Sequence, residues 1–200
     1  FEDVSERAGV RVSGIRVSGV GMGACHGDVD GDGDPDLYVT QFGPNLLFLN
    51  RGDGTFHEAA ADAGLAQDSW STGCAFFDPD LDGDLDLFVS SYVDFSLENH
   101  KYCGNAGRKL RSYCHPDVYA ALPDALYMNQ GLRDGTVRFR KAGPESGVRP
   151  SPDAKGLGVL SADFNDDGRP DLFVANDSTM NHLYLGDGRG SFEESALLSG

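Results

Sequence analysis

Three acidic stretches decide the fold of this 200-residue chain: DVDGDGDPDLYV (28–39), DPDLDGDLDLFV (78–89) and DFNDDGRPDLFV (163–174). Each begins with alternating Asp or Asn residues, turns at a Gly, and runs into an apolar segment. The segments DLYV, DLFV and DLFV are rich in aromatic and β-branched residues, which is typical of well-buried strands. The pattern therefore predicts three copies of one unit, in which an acidic loop precedes a buried strand.

A second recurring segment begins with Phe and follows each acidic stretch. Its copies are FHEAAADAGL (56–65), FRKAGPESGV (139–148) and FEESALLSG (192–200), and FEDVSERAGV (1–10) matches it as well. The spacing from the first Asp of the stretch to this Phe is 28, 61 and 29 residues in the three units. The second unit therefore carries an insertion of about 33 residues, roughly 93–125. Without it the period is about 50, which suits the four short strands of a propeller blade.

The predicted fold is all-β, with β-propeller blades of four antiparallel strands. We expect a blade over 20–69, a blade with the insertion over 70–155 and a blade over 156–200, while 1–19 provides the outer strand of a preceding blade. Propellers typically close with about 4–8 blades. Three blades and one orphan strand are therefore expected to be part of a larger propeller, or of one completed by other chains.

The charge of the chain is strongly acidic and unevenly distributed. There are 32 Asp and Glu residues against 16 Lys and Arg, giving a formal net charge of −16. Five, five and four of the acidic residues lie within 28–36, 78–86 and 163–171. This sign argues against binding to nucleic-acid phosphates, and no apolar run approaches the ~18 residues of a membrane-spanning helix.

The acidic stretches are predicted to bind metal ions, because clustered carboxylates repel one another unless a cation neutralises them. Alternating side chains at loop positions 1, 3, 5 and 9, with Gly at position 6 and a backbone carbonyl at position 7, supply the hard oxygen ligands that Ca²⁺ prefers. The candidate side-chain ligands are Asp28, Asp30, Asp32 and Asp36; Asp78, Asp80, Asp82 and Asp86; and Asp163, Asn165, Asp167 and Asp171. The candidate carbonyl ligands are those of Asp34, Asp84 and Arg169.

These loops differ from EF-hands, in which position 12 is a Glu. Here position 12 is Val39, Val89 or Val174, inside the apolar segment. We expect about three Ca²⁺ ions, one in each loop, with a structural role. The third loop has one ligand charge fewer and the nearby Arg169, so it is predicted to bind its ion most weakly.

The acidic stretches and the segments WSTGCAFFDPDLDGDLDLFVSSYVDF (70–95) and YCHPDVYAALPDALYMNQG (113–131) resemble FG-GAP/VCBS repeats. The resemblance is greatest to the ASPIC-type VCBS family related to cartilage acidic protein. It implies a secreted or surface-exposed propeller, typically of seven blades, that binds Ca²⁺ through these Asp positions. It further implies a scaffold for adhesion or assembly without catalytic activity; a periplasmic location is the alternative.

The four cysteines form two pairs, and we expect a disulfide in one pair and free thiols in the other. Cys103 and Cys114 lie in the insertion, where an exported protein is expected to close the loop with a disulfide. Cys25 and Cys74 lie in the first strands of neighbouring blades, where two buried thiols are favoured over a bridge. The Arg51-Gly52-Asp53 tripeptide lies at an expected exposed turn, whose chemistry alone accounts for it. The glycosylation sequon at Asn176 has a meaning only in a eukaryotic secretory pathway.

The leading functional hypothesis is a Ca²⁺-stabilised scaffold that binds a protein or glycan, or further copies of itself. The insertion, with its basic stretch 108–111, is the candidate contact surface, since loops on rigid scaffolds carry recognition; a solvated loop is the alternative. A structural subunit of an extracellular filament is a second hypothesis. An enzyme with a site on the propeller loop face is a third, for which no base–nucleophile pair is visible in the sequence.

Overall fold

The computed structural model describes residues 1–11, 19–148 and 153–196 and is built from antiparallel strands. The first unit contains β1 (Val20–Gly27), β2 (Asp36–Pro44), β3 (Leu46–Asn50), β4 (Phe56–Glu58) and the short helix α1 (Ala60–Ala63). The second contains β5 (Asp68–Phe77), β6 (Asp86–Ser91), β7 (Gly104–Asn105), β8 (Leu110–Arg111), β9 (Ala125–Arg133) and β10 (Thr136–Lys141). The third contains β11 (Gly156–Ala162), β12 (Asp171–Asn176), β13 (His182–Gly186) and β14 (Phe192–Glu194).

Each unit forms a four-stranded antiparallel sheet whose neighbours in space follow the chain order. The sheets are β1-β2-β3-β4, β5-β6-β9-β10 and β11-β12-β13-β14. The first two are joined where β2 pairs with β5, with Phe42 opposite Trp70. The prediction of an all-β, propeller-like fold is confirmed.

The middle sheet is buried on both faces, as stacked blades require. Along β6, Leu87 and Val89 face a core shared with the first unit, whereas Phe88 faces a core shared with the third. All six residues of β6 are buried. This alternation explains why the DLFV segment is apolar throughout, because successive side chains of a strand point to opposite faces.

Two threonine hydroxyls connect the three units, from β2 to β5 and from β5 to β11. Thr40 Oγ1 donates to the carbonyl of Thr72 at 2.5 Å. In turn, Thr72 Oγ1 donates to the carbonyl of Gly156 at 2.6 Å. Both threonines are buried, so these bonds satisfy backbone carbonyls that water cannot reach.

The expected outer strand over Phe1–Val10 is not present: the described residues 1–11 contain no strand and form a turn over 5–9. Asp3 Oδ1 accepts the backbone N–H of Ser5, and the N–H of Ala8 donates to the carbonyl of Val4, so local bonds favour a helical turn. The segment contacts the first unit, because Ala8 O accepts the N–H of Phe56. The remainder of the expected 1–19 segment, over 12–18, lies outside the described residues, as do 149–152 and 197–200.

The insertion forms a small lobe that packs beside Trp70 of β5 and the residues that follow β6. It contains β7, β8 and two 3₁₀ turns, Ala106–Arg108 and Pro116–Val118. Phe95 lies at its centre, with ring centroids 5.6 Å from Trp70 and 5.4 Å from Tyr119. Buried Lys155, directly before β11, pairs with Asp117 of the insertion. The Tyr92 hydroxyl, just before the insertion, donates to Asp177, which directly follows β12.

Candidate metal centres in the acidic loops

The first acidic loop is organised by the carboxylate at its first position. Asp28 Oδ1 accepts the backbone N–H groups of Gly31 and Asp32 at 2.9 and 3.1 Å. Its Oδ2 accepts the N–H of Gly33 at 2.9 Å. These bonds bend the chain around Asp28 and direct the following Asp side chains toward one centre.

The other two loops repeat this hydrogen-bond pattern. Asp78 accepts the N–H groups of Asp82 and Gly83 at 3.2 and 3.0 Å. Asp163 accepts those of Asp167 and Gly168 at 3.1 and 2.8 Å. The Gly at position 6 has a φ of +94°, +95° and +80° in the three loops, a left-handed conformation that glycine adopts at little cost.

Carboxylates at positions 1, 3 and 5 converge in two of the loops. Oxygen atoms of Asp28, Asp30 and Asp32 all lie within 4.8 Å of one another, and so do those of Asp78, Asp80 and Asp82. In the third loop the amide of Asn165 replaces the second carboxylate, and its Nδ2 donates to Asp167 Oδ2 at 3.1 Å. Arg169 also lies 3.6 Å from that oxygen.

The backbone at position 7 is held by the carboxylate at position 5. The N–H groups of Asp34, Asp84 and Arg169 donate to Oδ1 of Asp32, Asp82 and Asp167, each at 2.9 Å. The side chain at position 7 takes no part in this bond, so the loop tolerates Arg as well as Asp there.

The carboxylates at position 9 lie at the base of the loops, outside the two groups of three. Asp36, Asp86 and Asp171 are 0%, 2% and 0% exposed. Asp36 accepts the N–H groups of Val29 and Asn50 at 2.9 and 2.8 Å. Each position-9 carboxylate thus connects its loop to the third strand of its sheet.

Burial raises the pKa of several of these carboxyls, because desolvation disfavours the charged form. The pKa of Asp36 is raised to about 6 and that of Asp86 to about 7, in both cases chiefly by burial. The pKa values of Asp30 and Asp80 are also raised, by burial and then by the carboxylates of Asp32 and Asp82. The groups of the protein itself therefore do not fully stabilise the charged forms of these carboxyls.

The donor set fits a hard divalent cation. Two carboxylate oxygens of the second loop, Asp80 Oδ1 and Asp86 Oδ2, are buried without a hydrogen-bond partner. A buried charged oxygen without a partner is costly, and oxygen ligands alone suit Ca²⁺ rather than a softer metal. Side chains at positions 1, 3, 5 and 9 of each loop would hold such an ion.

Two disulfides are present in the structure. Cys103 and Cys114 are bridged, with Cα atoms 5.2 Å apart, as the sequence predicts. Cys25 and Cys74 are also bridged, with Cα atoms 5.8 Å apart, so the expectation of two thiols is wrong. The sequence places both residues in the first strands of neighbouring units, and in the structure these strands, β1 and β5, bring the two sulfur atoms together.

The two remaining motifs are used by the fold. Asp53 of the Arg51-Gly52-Asp53 tripeptide accepts the N–H and the hydroxyl of Thr55 at 2.9 and 2.6 Å, which stabilises an exposed turn. The Asn176 amide of the sequon donates to the carbonyl of Met180 at 2.8 Å. Both side chains therefore have a structural role, whatever else they do.

A pocket of about 750 Å³ lies between the insertion, Trp70 of β5 and the residues Tyr92 and Val93 that follow β6. Aromatic side chains and one guanidinium dominate its lining, which includes Trp70, Tyr92, Phe95, Arg111, Tyr113 and Tyr119. The His100 ring lies beside Arg111 at 2.8 Å. Sequence reasoning missed this pocket because its residues come from segments about 50 positions apart.

A sequence profile of FG-GAP-like repeats matches residues 28–89 and 163–200. The chain belongs to this family of repeat proteins. It is 29% identical to cartilage acidic protein 1 of Homo sapiens over 190 residues, covering 92% of this chain and 23% of that protein. It is 26% identical to the Mus musculus protein of the same name over 178 residues, covering 86% and 23%, and 28% identical to that of Xenopus tropicalis over 159 residues, covering 78% and 20%. The chain therefore spans under a quarter of the length of these relatives.

Proposed function

We propose that this chain is a Ca²⁺-stabilised part of an extracellular β-propeller that acts as a binding scaffold without catalytic activity. One observation carries the proposal: three loops share one backbone geometry, and the second holds buried carboxylate oxygens without partners. The ligands are the side chains at positions 1, 3, 5 and 9 and the carbonyls of Asp34, Asp84 and Arg169. The units 20–69, 70–155 and 156–200 are then three blades.

An extracellular location agrees with the two disulfides, because disulfides persist in oxidising compartments. Among the described residues no helix is long and apolar enough to cross a bilayer. Loop affinities of roughly 10⁻⁴–10⁻³ M suit extracellular modules, where free Ca²⁺ is abundant.

Titration of Ca²⁺ into chelator-treated protein tests the metal sites. At 10 mM Ca²⁺, a site with a Kd of roughly 10⁻³ M stabilises the fold by about 1.4 kcal/mol. For a chain of this size that amount raises the melting temperature by about 3–6 °C per site. Calorimetric heat together with this rise supports the proposal, and the absence of both would contradict it. The double variant Asp30→Asn and Asp80→Asn is the matched control, because it lowers the ligand charge of two loops at the position where the third loop already has Asn165, whose Oδ1 accepts the N–H of Asp167.

The insertion is the proposed recognition surface. Lys101, Arg108, Lys109 and Arg111 give it a basic character within an otherwise acidic chain. Pockets lined by aromatic side chains with a few polar groups are the usual form of ligand sites, and an Arg favours an anionic group such as a carboxylate or sulfate. We therefore propose an anionic partner, from a protein or a glycan, at the pocket beside Arg111.

Binding to immobilised heparin, a polyanion, tests this surface against neutral dextran. The double variant Arg111→Gln and Tyr113→Ala removes the cation and an exposed ring that contributes little to the core. Retention on heparin that falls in the variant supports the proposal. Retention that is equal in both proteins, or absent in the wild type, contradicts an anionic partner at this pocket.

Self-assembly is the second candidate, and one observation favours it. Val20 and Met22 on β1, and Leu157 and Leu160 on β11, are exposed apolar residues on the first strands of the two end sheets. Further blades or further copies of the chain would cover such faces. Light scattering with and without EDTA distinguishes the cases, because a Ca²⁺-dependent oligomer supports assembly and a monomer in both conditions contradicts it.

A further inference from the structure

The three position-9 carboxylates differ in how many hydrogen bonds the protein gives them. Asp36 and Asp171 each accept backbone N–H groups on both oxygens. Asp86 accepts the N–H of Asn129 on Oδ1 at 2.6 Å, but its Oδ2 is buried and has no partner. Asp86 is 2% exposed, so bulk solvent does not supply the missing donor.

The difference follows from one residue in each loop. In the first and third loops the donor to Oδ2 is the backbone N–H at position 2, from Val29 and Phe164, each at 2.9 Å. In the second loop position 2 is Pro79, which has no backbone N–H. The unpartnered oxygen, Asp86 Oδ2, therefore corresponds to the oxygens of Asp36 and Asp171 that accept the backbone N–H at position 2.

We propose that a divalent cation replaces this missing donor, so the second loop depends more on the cation than the other two loops do. The inference rests on the proposed function, that these loops bind Ca²⁺. Without a cation, Asp86 Oδ2 remains buried and unpaired, whereas Asp36 and Asp171 keep both of their bonds. With a cation, the buried oxygen gains a positively charged partner, and the second loop gains the most stability.

The second loop also bonds to the third unit, so its order affects more than one sheet. The carbonyl of Pro79 accepts the N–H of Gly190, in the β13–β14 turn, at 3.1 Å. A cation that orders the second loop therefore also fixes this contact. Hydrogen exchange of the Gly190 amide is expected to slow when Ca²⁺ is added.

Exchange of residues at position 2 tests the proposal directly. Pro79→Val supplies the missing N–H, and Val29→Pro removes the corresponding donor from the first loop. We expect Pro79→Val to raise the melting temperature in EDTA by about 3–12 °C, the size of a hydrogen bond to a charged group. Its Ca²⁺-induced rise is expected to be smaller than in the wild type. Val29→Pro is expected to do the reverse, with a lower melting temperature in EDTA and a larger rise.

Loss of a proline also changes the unfolded chain, so a matched control is needed. Pro35→Val provides it, since Pro35 is at position 8 of the first loop, where the second loop has Leu85. If the wild type shows no response to Ca²⁺, the proposed function fails. If the wild type responds but Pro79→Val and Pro35→Val behave alike in EDTA and in Ca²⁺, the present inference is wrong and the proposed function stands.

Discussion

Asp124 occupies in the second unit the position that Asn45 occupies in the first. Asn45 Oδ1 accepts the backbone N–H of Gln41 in β2, and Asp124 Oδ1 accepts that of Ser91 at the end of β6, both at 2.9 Å. Asn181 does the same for Asn176 in the third unit. Each side chain caps the second strand of its sheet, and in one of the three it is a carboxyl instead of an amide.

Asp124→Asn is predicted to stabilise the protein at neutral pH. Burial raises the pKa of Asp124 to about 7, above its unfolded value near 3.8. The folded state therefore binds a proton that the unfolded state releases, so the stability contributed by this group falls as pH rises from about 4 to 7. The amide removes that loss, and we expect a gain of about 1–3 kcal/mol at pH 8 and little change at pH 4.

Urea unfolding from pH 4 to 8 measures this difference between the wild type and the variant. The exposed substitution Asp94→Asn controls for the loss of one negative charge from an acidic chain. A difference between Asp124→Asn and the wild type that is the same at every pH would contradict the prediction.

Asn129→Asp is predicted to weaken the hydrogen-bonded contact between the first and second units. The buried Asn129 Nδ2 donates to the carbonyls of Val29, in the first loop, and Leu85, in the second, at 2.9 and 3.1 Å. A carboxylate at this position faces two carbonyls and adds negative charge beside two acidic loops. We expect a loss of about 2–4 kcal/mol in the free energy of unfolding.

Urea unfolding in EDTA and in Ca²⁺ measures the effect of Asn129→Asp, with the exposed Gln130→Glu as the control for the added charge. Equal stability of the two variants would show that the contact to Val29 contributes little.

Local patterns in the sequence predicted the loops and the strands that follow them. The apolar segments that follow the acidic stretches lie in the observed strands β2, β6 and β12. The segment after β4 is rich in alanine, which has low β propensity and high helix propensity. The short helix α1 lies there, so local composition accounts for the end of β4 as well.

Other features depend on contacts between residues that are distant in the sequence. The bridge between Cys25 and Cys74 requires the two side chains to face each other between β1 and β5, and the pairing of Phe42 with Trp70 joins the sheets of the first two units. Pro79 is visible in the sequence, but its effect depends on knowing that position 2 donates to the position-9 carboxylate. That bond joins residues seven positions apart and becomes evident only in the folded loop.

The two disulfides are predicted to stabilise different parts of the molecule. The Cys25–Cys74 bond spans 49 residues and joins two units, so its loss is expected to lower the free energy of unfolding by about 4 kcal/mol in the chain-entropy model. The Cys103–Cys114 bond spans 11 residues and closes the insertion alone. Its loss is expected to loosen the insertion and to leave the core nearly unchanged.

Two double variants separate these effects: Cys25→Ser with Cys74→Ser, and Cys103→Ser with Cys114→Ser. Urea unfolding reports on the core, and trypsin cleavage at Lys101, Arg108, Lys109 and Arg111 reports on the insertion. We expect the first pair to change mainly the unfolding midpoint and the second mainly the cleavage rate. The reverse pattern would contradict this assignment.

Calcium binding is predicted to release protons near neutral pH. In the cation-free protein, burial raises the pKa of Asp36 to about 6 and that of Asp86 to about 7, so both carboxyls are partly protonated at pH 6.5. A cation binds the deprotonated form, and binding must therefore displace these protons. Calorimetry at pH 6.5 in buffers with different ionisation enthalpies is expected to give different apparent heats, and at pH 8.5 the heats should converge. The apparent affinity should rise with pH between these values, and heats that are independent of the buffer at pH 6.5 would contradict the prediction.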